Sequence, residues 1–136
     1  MCLLASVQSW DANKILCRAS SHRLPENPLR AHGRLGAACA IEYAAQAMAV
    51  HGALLAPANG SAPRVGYLVS ARGLQLLVSR LDDVAEDLDV EASCIMSGEN
   101  NMLYQFSVSA AGHVLVQGRA AVILDADALG LAYGFS

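Results

Sequence analysis

The stretch from Leu35 to Pro57, LGAACAIEYAAQAMAVHGALLAP, constrains the fold more than any other part of the chain. Between Leu35 and Leu55 it carries one charge, Glu42, and two other polar side chains, Gln46 and His51. Alanine dominates it and Pro57 closes it, so the residue types predict a helix over about residues 36–55. A helix apolar on nearly every face must be buried all round, in lipid or against protein. Small alanines and a carboxylate at mid-span argue against lipid. The expectation is a helix wrapped by a curved sheet, with Glu42 pointing into a site.

At 136 residues the chain is read as a single domain, residues 1–136, with room for a real core. A net charge of −3 and no basic cluster exclude a nucleic-acid footprint. Cys2, Cys17, Cys39 and Cys94 show no metal-ligand spacing, and three of them sit in apolar runs. Free, reduced thiols and a cytoplasmic protein without a bound metal are therefore expected. The apolar start MCLLASV lacks a charged region before it, which argues against a cleaved signal peptide.

Around the helix the pattern is that of strands. Cys2–Trp10 and Ile15–Ala19 read as a hairpin about Asp11-Ala12-Asn13. Ser20–Gly33, with two prolines and two histidines, reads as a long loop and a functional candidate. After a turn-rich connection, Ala58–Pro63, come Val65–Val69 and Leu74–Arg80, readable as one strand bent at Arg72-Gly73. Leu81–Asp87 reads as a solvated acidic turn. Leu88–Cys94 and Met102–Val108 alternate apolar and polar residues, and Val114–Leu124 follows another turn. The tail, about residues 125–136, is expected to be loosely attached. The whole is an α+β fold: one apolar helix lying across a curved antiparallel sheet.

That is the hotdog arrangement, and here the chain resembles a family. His22-Arg23-Leu24-Pro25-Glu26-Asn27-Pro28 is similar to the H-x-P-x-N-P loop of fatty-acid-type 3-hydroxyacyl-carrier-protein dehydratases. Gly33 and Gly36 follow, and Ile41-Glu42-Tyr43-Ala44-Ala45-Gln46-Ala47 resembles that family's I-E-x-x-A-Q-A helix. Gly66–Leu81 resembles its next strand. The likeness is greatest to the dehydratase-like branch of aryl-polyene and related pigment clusters.

The resemblance implies removal of water from a 3-hydroxyacyl thioester carried on the phosphopantetheine of an acyl carrier protein, or on coenzyme A, with no other cofactor. A base must take the C2 proton and an acid must protonate the departing hydroxyl. By resemblance His22 is the base, with His32 the second candidate, and Glu42 the acid, kept partly protonated by apolar surroundings. A backbone N–H near Gly36, at the helix N-terminus, would hold the thioester oxygen. Gln46, one turn past Glu42, would orient the carboxyl, and Asn27 belongs with the substrate-binding residues. Arg23, Arg30 and Arg34 would rim the entrance and meet the carrier. In related enzymes histidine and acid come from different protomers, which implies a homodimer or a heterodimer with a related hotdog subunit. The alternatives are an acyl thioesterase, in which Glu42 activates water, and a noncatalytic subunit of a heteromeric dehydratase. His51, half a turn from Glu42 by angle, reads as a packed or interface histidine.

Overall fold

The computed structural model describes residues 2–55, 67–98 and 101–123. Ala58–Pro63 and the tail read as loosely attached lie outside them. Strands β1 (Ser6–Trp10) and β2 (Lys14–Ala19) form the first hairpin, and the helix α1 spans Ala40–Leu55. Then follow β3 (Tyr67–Leu76), β4 (Leu88–Ser97), β5 (Asn101–Ala110) and β6 (His113–Ile123). Single 3₁₀ turns occupy Ser21–Arg23 and Ala37–Cys39, the second running into α1. The six strands make one antiparallel sheet in the order β1-β2-β4-β5-β6-β3. The helix packs on β2, β4 and β5, the helix-on-sheet arrangement that the resemblance implied.

Strict alternation decides which side of the sheet meets the helix. Ile15, Cys17 and Ala19 of β2, Leu88, Val90 and Ala92 of β4, and Tyr104, Phe106 and Val108 of β5 are buried. The polar residues between them face outward. The strand ends read from sequence agree to within a few residues, except that β3 stops at Leu76 and the chain turns away before Arg80. The bend expected at Arg72-Gly73 is real. Gly73 has φ +61° and the register slips between Arg72 and Gln75, a bulge that only glycine enters without strain.

The helix departs from expectation. It is not buried all round. Ala40, Tyr43, Ala44, Ala47, Met48 and His51 are buried, whereas Ala38, Glu42, Ala49 and Ala53 are exposed along the opposite side. No described helix is long and apolar enough to cross a membrane. Alanine on the inner side lets the helix sit close to the sheet, and enlarging it there should be costly. Ala47→Leu is expected to lose about 1–3 kcal/mol by overpacking, checked by chemical denaturation. Ala45, half-buried on the Glu42 side, should tolerate leucine, so a loss of similar size there would contradict this assignment of faces.

His51 is held inside the fold as its angle suggested. It bonds the Tyr104 hydroxyl through Nδ1 and the Asp11 carbonyl through Nε2, each at 2.8 Å, tying α1 to β5 and the first hairpin. Both ring nitrogens are occupied, so it serves the structure.

Candidate active site

His22 lies in the 3₁₀ turn directly after β2 and is fully buried, not solvated as loop histidines usually are. Its Nε2 is 3.0 Å from the Val84 carbonyl. A carbonyl only accepts, so Nε2 carries the proton and Nδ1 of the neutral ring keeps a lone pair. Among the described residues Nδ1 is the one buried side-chain polar atom with no hydrogen-bond partner. Leaving such an atom unpaired costs about 1–3 kcal/mol, which a purely structural histidine would avoid. Burial is also the main cause that lowers its pKa below the ordinary value, favouring the neutral ring.

The turn is braced by Ser21, Tyr43 and Asn27. The Ser21 hydroxyl donates to the Leu3 carbonyl (2.8 Å) and accepts from the Tyr43 hydroxyl at 2.8 Å. Asn27 was expected at the substrate. Instead it is buried, donating to the Ser21 carbonyl (2.9 Å) and the Tyr43 hydroxyl (3.1 Å) and accepting from the Leu29 amide (2.9 Å). Both ends of its side chain are occupied within the chain, so it holds the loop. Burial raises the Tyr43 pKa, which keeps the bridging hydroxyl protonated.

Arg30 is likewise an internal clamp and not a rim residue. Its guanidinium donates to the carbonyls of Leu24 (2.8 Å), Gly33 (3.0 Å) and His22 (3.4 Å) and lies 4.0 Å from Asp82. Asp82, read as part of a solvated turn, has a side chain only 7% exposed. It accepts from Arg80 and from the Leu35 amide (2.9 Å), and the Arg80 guanidinium holds its carboxyl well below the usual carboxylate range. Arg23 reaches Asp87 at 2.7 Å and the Ala85 carbonyl at 2.5 Å, pinning His22's turn to the segment that carries Val84. Of the three arginines expected to rim the entrance, Arg23 and Arg34 are exposed, Arg23 tied to Asp87 and Arg34 at the end of a tight turn. His32, the other candidate base, sits at that turn's tip with φ +54°, exposed and without the bracing that His22 has.

Glu42 is exposed, and in its own chain it does not bond His22. The expectation that apolar surroundings within the chain desolvate its carboxyl is therefore corrected: Glu42 lies on the exposed side of α1. Gln46, half-buried, accepts the Leu3 amide at 2.7 Å, so its carbonyl oxygen is engaged with the N-terminal segment. Gly36 opens the turn into α1, opposite Arg80. Its neighbours make the bonds there, Ala37 N–H to the Ser79 carbonyl (3.1 Å) and Leu81 N–H to the Leu35 carbonyl (2.7 Å). Gly36's own N–H thus points away from that bridge. A Cβ placed on Gly36 would meet nothing within 4 Å, and its φ of −63° suits any residue. Among the described residues no packing or backbone demand explains the glycine.

The described residues contain no group of three or more side chains able to hold a metal ion. The candidate groups are His22 behind its braced loop, Gly36 with an outward N–H, and Glu42 on the exposed side of the helix. They can move protons, and among the described residues no nucleophile is set beside a base.

The family model described as ApeP dehydratase, ApeP-like, matches residues 1–131. No curated protein matches the sequence significantly. Among solved structures, the dehydratase heterocomplex ApeI:P from Xenorhabdus doucetiae superposes with a TM-score of 0.84 at 23% identity, covering 97% of this chain and 89% of that one. AziG of S. sahachiroi gives 0.63 at 15% identity, covering 88% and 89%. The Q49A mutant of thioesterase PA1618 from Pseudomonas aeruginosa gives 0.64 at 12%, covering 88% and 79%. At such identities these neighbours show the hotdog fold.

Proposed function

Since the chain belongs to the ApeP-like dehydratase family, we propose that it dehydrates 3-hydroxyacyl thioesters with His22 as the base. The observation that carries this reading is the unpartnered, buried Nδ1 of a histidine whose Nε2–H is anchored on Val84. Nδ1 takes the C2 proton while charge gathers on the thioester oxygen. The C3–O bond then breaks, and the hydroxyl leaves as water with a proton from the Glu42 carboxyl. The histidinium and the carboxylate return to their starting forms by proton exchange.

We place the Glu42 that serves this site on another subunit. It stands on an exposed face otherwise made of Ala38, Ala49 and Ala53, small enough for close approach of a second helix. Strand β3 is at one end of the sheet, and its Leu74 and Leu76, with Leu77 just beyond, are exposed. Both features suit a second hotdog subunit, either a copy of this chain or a related one. The heterocomplex formed by the structural neighbour supports the latter. Within one chain Glu42 does not bond His22, so we place the complete site in the assembled pair. The acyl group arrives on the phosphopantetheine of a carrier protein, in aryl-polyene or fatty-acid-type synthesis. Four free cysteines suit a reducing cytoplasm.

Gly36 tests the thioester end of this arrangement. Gly36→Ala should fold with unchanged or slightly raised thermal stability, because its Cβ meets open space. Dehydration should fall by about 10², the scale of a misplacement near 1 Å. A fully active Gly36→Ala enzyme would remove Gly36 from the substrate's path.

A further inference from the structure

The sheet face turned away from the helix carries a cavity of about 640 Å³ that the dehydration chemistry does not use. It lies over β3, β6 and β5, lined by Ser70, Arg72, Gln75, Gln105, Gln117 and Arg119. The register explains why these residues converge. Arg72 faces Arg119, which faces Gln105, which faces Ser93. In the next row Gln75 faces Gln117 and Gln117 faces Ser107. Arg72 and Gln75 are three residues apart and would lie on opposite faces of a regular strand. The Gly73 bulge brings both to the outer face, where Gln117 donates a hydrogen bond to Gln75.

Two arginines directly opposite one another repel, which a sheet ordinarily avoids. Elsewhere on this face charges are matched: Arg18 faces and pairs with Asp89 at 3.3 Å, and Lys14 pairs with Glu91 at 3.6 Å. Those acids are occupied. Among the described residues, neither Arg72 nor Arg119 has a carboxylate partner. The nearest positions beside them, Gln105, Ser93, Gln75, Gln117 and Ser107, are amides and hydroxyls, groups that hydrogen-bond a ligand without neutralising the arginines.

We infer that this groove is an anion site that takes the phosphate monoester of a small phosphorylated molecule between Arg72 and Arg119. A phosphate monoester carries close to two negative charges and presents three oxygens, enough for a guanidinium on each side. A single carboxylate, with one negative charge, would neutralise only one of the two arginines. The glutamine amides and Ser70 would hydrogen-bond the remainder of the molecule, and the volume suits a ligand of sugar-phosphate size.

The test is titration of the full chain with inorganic phosphate and ribose 5-phosphate at low salt, followed by calorimetry and by amide chemical shifts. Saturable one-site binding is expected, with shifts confined to residues 70–75, 103–105 and 117–121. Arg72→Gln and Arg119→Gln should each weaken it at least about tenfold, as expected when one arm of a charge-assisted clamp is lost. Both variants should also melt slightly higher than the parent without phosphate, since the repulsion is relieved, and gain nothing from its addition. Lys14→Gln should leave binding intact. Absence of saturable binding, binding that survives both arginine changes, or acetate binding as tightly as phosphate would each overturn the proposal.

Discussion

Replacing His22 by alanine or glutamine is expected to lower dehydration by about 10²–10⁴, the usual range for losing general acid–base assistance. Glutamine is the more telling change. Its amide can still donate to the Val84 carbonyl, so the turn keeps its anchor while the base disappears. Alanine leaves that carbonyl without its partner and should also cost stability. Glu42→Gln should give a loss of the same order, and the double variant should be little worse than either, because residues acting as one unit are not additive. His32→Ala and His51→Ala should spare the chemistry, although the latter removes two buried hydrogen bonds. The pH dependence follows from the direction of the His22 shift. Burial lowers its folded pKa, so the acidic limb of kcat/KM should fall below the ordinary value of 6.5. The sign for stability is the same. The unfolded chain binds the proton more readily, so this contribution is present above pH 6.5 and is lost as the pH falls through the folded pKa. An acidic limb above 6.5 that His22→Gln leaves in place would assign the base elsewhere.

Ala49→Arg should separate the subunits. Ala49 is exposed on the side of α1 that carries Glu42, seven residues on, where a second helix is proposed to lie. A charge forced into that contact without a partner should weaken association by about 10²–10⁴, from a cost near 3–5 kcal/mol. The isolated chain should remain folded, since the side chain projects from the core. Light scattering against concentration gives the association, and activity should fall with it. A monomeric Ala49→Arg protein that still dehydrates would show that one chain holds a complete site.

The two departures concerning Glu42 and His22 show what a linear pattern can convey. Strand alternation in Leu88–Cys94 and Met102–Val108, the bend at Gly73 and the inward side of His51 are local periodicities, and all were readable. The helix's apolar character was readable too, but alanine is equally at home in a core and in a helix-to-helix contact. Composition therefore could not show that Glu42, Ala49 and Ala53 stand outside their own domain. The bracing of His22 was hidden for a different reason. Its anchor, Val84, is 62 positions away, and Arg23 uses partners equally distant. Arg30 and Asp82 looked like surface charges because nothing local announces that a guanidinium will turn inward to three loop carbonyls. Asn27 stood out in its motif correctly, but as the loop's brace.

Incubating the protein with 3-hydroxyacyl carrier protein, alone and with a related hotdog subunit, and following the carrier's intact mass tests the central claim most directly. The expected result is loss of one water from the acyl group, with the thioester kept, and loss of that activity in His22→Gln. Release of free carrier protein, or dehydration undiminished by His22→Gln, would contradict it.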